Sequence, residues 1–172
     1  MKKTAFYLIF LLSLGYLTGC TPQHADRFYN YDDFSLNRIP LIKPIDVERL
    51  NSSEPWSIML LPAMWVDFPD SHGRYYPYSR VHEPEKFAVK TGVIMAYSSY
   101  VDKEAAAYIQ ENFYHWFVMV PDKKITKGFQ TEDEFRQYIQ TLDVQDPDWH
   151  TPEETFQQFR RTNCLEWIPD CE

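Results

Sequence analysis

Five histidines and 25 acidic residues are the side chains with which this chain could do chemistry, and their spacing decides which reactions are open. A hydrolase serine announces itself on a sharp turn, as Gly-x-Ser-x-Gly, and that motif does not occur. Ser71-His72-Gly73 sets a hydroxyl beside an imidazole, but adjacent side chains of an extended chain point apart. Paired histidine ligands take the form His-x-His or His-x-x-x-His, and His24, His72, His82, His115 and His150 provide neither. His82-Glu83 lacks the second histidine one helical turn away that a metalloprotease requires. Asp143, Asp146, Asp148 and His150 offer hard ligands close together, without the glycine and closing glutamate of a calcium loop, and read as a solvated acidic linker. Asp67, Asp70 and Glu83 remain; two of them brought together would form the carboxylate pair of glycoside hydrolysis. With only five glycines there is no phosphate-cradling loop. The sequence thus assigns no catalytic residue, no metal ligand and no cofactor.

The three thiols carry more information. Cys20 ends the run Leu17-Thr18-Gly19-Cys20, which follows Lys2-Lys3 and an apolar stretch from Thr4 to Tyr16 that is short for a membrane span. Small Thr18 and Gly19 leave room for a peptidase, and Cys20 supplies a nucleophilic sulfur for lipid. Over residues 1–20 the chain resembles the bacterial lipoprotein class. The resemblance implies a signal peptide at 1–19, a diacylglyceryl-modified Cys20 as the new N-terminus, and a stable anchor of several acyl chains. An ordinary secretory cleavage site fits less well, because large Leu17 stands where a small residue is wanted. Thr21, not aspartate, follows the cysteine. By the sorting rule of Gram-negative lipoproteins, that favours the outer over the inner membrane.

The oxidising side of the membrane permits disulfides, and Cys164 and Cys171 are left as a pair. Their six intervening residues are too many for a CxxC redox motif. They read as a structural clasp on the C-terminus, the other reading being two free thiols.

Charge narrows the partners. Losing residues 1–19 removes both lysines of the signal and no acid, so the net charge moves from −8 to 15 − 25 = −10. Nucleic acid is a poor partner for such a surface, as is an anionic headgroup layer; the membrane contact expected is the lipid itself. A protein with a basic surface fits. Aromatic residues make up 17% of the chain. They read as core built from large side chains, or as a platform for a ligand.

The elements that must position these residues follow from pattern. Residues 20–27 form a short polar tether, and 28–172 a single domain of one-domain size. Ile39 to Ile45, broken by Pro40 and Pro44, suits an extended edge strap. Trp56–Leu61, Lys90–Tyr97 and Trp116–Val120 read as strands, with Lys123–Phe129 pairing back on the last. Residues 62–87, with four prolines and the Tyr75-Tyr76-Pro77-Tyr78 cluster, read as irregular. A helix is predicted from Asp102, and two more from the capping boxes Thr131–Glu134 and Thr151–Glu154. The fold class expected is α+β, a small mixed or antiparallel sheet with helices mainly in the C-terminal third.

The function expected is a membrane-anchored binding or interaction module of the cell envelope, one version being an immunity factor that neutralises a basic toxin. Tyr75, Tyr76 and Tyr78 are its candidate contacts. The alternative is a small envelope hydrolase using the carboxylates of the 67–83 region.

Overall fold

Valine, isoleucine and aromatic residues punctuate the chain from Asn37 to Phe129, and their branched or planar side chains pack well on a pleated surface. A computed structural model describes residues 26–31, 37–69, 75–101 and 114–171, with the backbone alone at 67–69 and 75–78. Within them run β1 (Asn37–Ile42), β2 (Ile45–Arg49), β3 (Ser57–Met59), β4 (Val66–Pro69), β5 (Tyr75–Tyr78), β6 (Arg80–His82), β7 (Lys86–Lys90), β8 (Val93–Tyr97), β9 (Trp116–Val120) and β10 (Ile125–Phe129). Two α-helices close the described chain, α1 (Glu132–Gln140) and α2 (Pro152–Thr162). The predicted signal, Cys20, Asp70, Ser71, His72 and the helix from Asp102 lie outside the described residues.

The strands form two four-stranded antiparallel sheets, ordered β1-β2-β3-β6 and β10-β9-β8-β7, and a ribbon of β4 with β5. The fold is α+β with its helices late in the chain, as the sequence implies. Register explains how the sheets meet. Ile39, Val47, Ile58 and Val81 stand opposite one another across the first sheet, and all four are fully buried. They face Phe87, Ala96 and Phe117, an equivalent row across the second sheet, with Ile94 and Met119 beside it. Phe156 and Phe159 of α2 join the same core.

The second sheet is buried on its other face too. Ala88, Met95 and Val118 pack there beneath Phe135 and Ile139 of α1, so all five residues of β9 are buried. A strand covered on both sides loses the alternation of a half-exposed one and reads as a continuous apolar run. On this face Lys86, Tyr97 and Trp116 lie in register. The Lys86 ammonium is 4.7 Å from the Trp149 ring centroid and 5.0 Å from that of Trp116. Phe135 stacks on Trp116 at 4.9 Å. Much of the aromatic content is therefore core.

Helix α1 begins with a complete capping box: Glu134 N–H donates to the Thr131 hydroxyl, and Thr131 N–H to the Glu134 carboxylate. The second predicted box does not close. Thr151 turns its hydroxyl to donate to Glu154 Oε2 at 2.7 Å and caps no backbone N–H. Proline at the first helical position leaves one fewer donor to satisfy there.

Three readings of the sequence need correction. Lys90–Tyr97 is not one strand. Thr91 and Gly92 both take positive φ, 49° and 81°, which makes the two-residue turn joining β7 to β8. The stretch 62–87 is not irregular: it holds β4, β5, β6 and the start of β7. Pro69 and Pro77 are accommodated because each strand of a two-stranded ribbon has an outer edge that needs no N–H donor. The stretch 39–45 is extended and lies at a sheet edge, as expected, but it is not a strap laid over the domain. It is most of β1 and the turn into β2, with Ile39, Leu41 and Ile45 in the core.

Segments far apart in the chain meet beside β1. Tyr31 N–H donates to Asn163 Oδ1 at 2.7 Å, and the Trp167 indole N–H to the Pro40 carbonyl at 2.9 Å. Asn163 takes the left-handed conformation that ends α2. Just beyond it Cys164 and Cys171 are joined, their Cα atoms 5.5 Å apart. A clasp this short constrains the unfolded chain by about 2–3 kcal/mol. The native protein should therefore resist thiol alkylation until reduced; ready labelling without reductant would show two free thiols.

Candidate functional site

The same registers that bury one face of the first sheet line up polar residues on the other. Arg38, Glu48, Ser57 and His82 stand opposite one another across β1, β2, β3 and β6, and Met59 stands opposite Arg80 two residues along, on the same face. Alternation makes this unavoidable: residues one step from the buried row must point outward. Around this row lies a cleft of about 380 Å³, lined by Glu48, Leu50, Glu54, Ser57, Met59, Arg80 and His82 among others.

One end of the row is fixed. Arg38 is buried; its Nε bonds the Asp46 carboxylate, a guanidinium N–H donates to the Phe28 carbonyl at 3.0 Å, and the group lies 4.2 Å over the Phe28 ring. At the other end the His82 ring stacks on Tyr100, centroids 5.0 Å apart. Between them, burial pushes the Glu48 carboxyl above the usual carboxylate range. Asp46 adds to that push, while Arg38 and Arg80 oppose it. Arg80 is exposed and makes no ion pair among the described residues. On the rim, Leu50 is 69% exposed.

A serine, a histidine and a glutamate in one row invite comparison with a catalytic triad, and the order is wrong. A triad needs the imidazole between hydroxyl and carboxylate. Here Ser57 is in the middle, and Glu48 and His82 are two strand spacings apart, roughly 9–10 Å. Glu48 cannot orient that imidazole. The row offers fixed charges and hydrogen-bonding groups, which is the equipment of a binding surface.

The chain matches no protein-family model, no curated protein and no solved structure.

The residues singled out from sequence fall elsewhere. Tyr75, Tyr76 and Tyr78 lie on β5, opposite Pro69, Phe68 and Val66. They belong to a strand of the ribbon, not to a loop. Asp67 pairs with Pro77 on that ribbon, while Glu83 is exposed just past β6. The acidic linker after α1 binds a lysine of its own chain: Lys90 Nζ donates to the carbonyls of Gln145 and Asp146, at 2.9 and 3.2 Å. His150 bonds Glu166 and pairs its backbone with Phe87. Among the described residues no group of three or more His, Cys, Asp or Glu is placed to hold a metal.

The cleft residues were missed, although a signal existed. Ile45-Asp46-Val47-Glu48 and Arg80-Val81-His82 alternate strictly. That pattern marks strands with one wet face.

Proposed function

We propose that the protein is a lipoprotein of the bacterial envelope that works as a binding module, held to the membrane through lipid on Cys20. The observation that carries this reading is the Leu17-Thr18-Gly19-Cys20 box behind a basic start and a short apolar run. Among the described residues no helix is long and apolar enough to cross a membrane; the proposed attachment is lipid on Cys20. Five residues, Thr21–Ala25, separate the cysteine from Asp26. At about 3.3–3.6 Å each they hold the domain within roughly 20 Å of the acyl chains.

Asp26 is tied to the turn between β1 and β2, its carboxylate 2.7 Å from Lys43 Nζ. The cleft opens at the other end of β2, about 15 Å further along the strand. The acidic surface, −10 after processing, favours a protein partner with a basic face, an immunity-type role being one version.

Replacement of Cys20 by serine tests the anchor. Cells fed labelled palmitate should yield an unlabelled precursor that retains its first 19 residues. Persistent labelling of the C20S protein would overturn the assignment.

A further inference from the structure

The cleft on the first sheet carries opposite charges on opposite sides. Arg80 and His82 are two residues apart on β6 and so share its outer face. Arg80 brings a planar fork of donors suited to a carboxylate. Ser57 stands opposite His82 and adds a hydroxyl. Across β3, Glu48 of β2 and Glu54 of the following turn line the other wall, together with Arg49, whose guanidinium is paired with Glu153 at 2.9 Å. The walls are two strand spacings apart, roughly 9–10 Å. Met59 lies between them and Leu50 on the rim, which gives the cleft apolar surface as well.

A purely anionic ligand would meet Glu48 and Glu54; a purely cationic one would meet Arg80. A molecule with both charges, set about the width of the cleft apart, avoids both conflicts. Two or three extended residues span about 7–11 Å. We propose that the cleft binds short peptides with free termini, the carboxylate on Arg80 and His82 and the ammonium towards Glu48 and Glu54. Met59 and Leu50 then contact the side chains. This site rests on the binding-module reading but not on the lipid anchor.

Titration calorimetry of the full chain in mild detergent, with trialanine as the probe, tests it. Free trialanine should bind, and N-acetylated or C-amidated trialanine should each bind about tenfold or more weakly. Arg80→Ala should weaken the free peptide by a similar factor and leave the C-amide unchanged, because that contact is already gone. Glu48→Gln should do the same against the N-acetyl form. Retained thermal unfolding temperatures would show that both variants are folded. Absence of binding by free trialanine overturns the proposal, as does equal binding of the blocked peptides or indifference to Arg80→Ala. The Cys20→Ser protein should bind trialanine as the parent does, so failure of the anchor and failure of the cleft give separate results.

Discussion

Arg38→Met should destabilise the domain by about 3 kcal/mol in urea unfolding, and Arg38→Met with Asp46→Leu should restore most of that loss. Arg38 is buried and answers three groups at once: the Asp46 carboxylate, the Phe28 carbonyl and the Phe28 ring. Methionine fills much of the space but leaves the Asp46 carboxylate, only 16% exposed at its side chain, without its cation. Removing one partner of a buried pair typically costs about 3–5 kcal/mol, whereas replacing both with apolar groups is often neutral. Residual exposure of Asp46 to water sets the expectation at the low end. A single substitution costing under about 1 kcal/mol would show that the pair is solvated like an ordinary surface bridge.

Gly128→Ala should cost about 2–3 kcal/mol. Gly128 lies in β10 opposite Phe117. A Cβ there would fall 2.8 Å from the Tyr114 Cβ and closer still to its ring carbons. A ring tip could swing aside, but Tyr114 Cβ is fixed to the backbone, so the strand itself must move. Overpacking of this kind usually costs about 1–3 kcal/mol. The check is a double-mutant cycle with Tyr114→Ala. Tyr114 is half-buried, so its removal carries its own penalty, yet the two losses should combine to well below their sum. Simple additivity would place the strain somewhere other than Tyr114.

Where the sequence speaks clearly, a local rule is obeyed without competition. Thr131 and Glu134 satisfy each other's backbone within a single turn, and α1 forms where they indicate. Trp116–Val120 is apolar enough to be a strand whatever surrounds it. The ribbon is harder to read because its prolines argue against strand, and only the pairing of β4 with β5 shows that their missing donors face no partner. Thr91-Gly92 looks like strand interior until two positive φ angles reverse the chain. The cleft is harder again. Arg38 and His82 belong to one row, yet 43 residues separate them in the chain. Their alignment depends on the turns between β1, β2 and β3 and on β6 joining after the excursion through the ribbon. One residue of slip in any pairing would send Glu48 or Ser57 to the opposite face. Composition and periodicity contain no record of that register.

The bonds from Tyr31 to Asn163 and from Trp167 to Pro40 have a consequence for how the molecule is made. Trp167 is 127 positions after the Pro40 carbonyl it bonds, and Asn163 is 132 after Tyr31. A ribosome delivers Tyr31 and Pro40 long before Asn163 and Trp167, so these two bonds form after the strands of both sheets have been made. Contacts of such long range are slow to form because the intervening loop must be ordered first. A chain cut before residue 163 keeps every described strand but loses both bonds and the disulfide. Cys164 and Cys171, joined on either side of Trp167, restrict that segment before it docks, so the clasp lowers the entropy lost when the indole reaches Pro40.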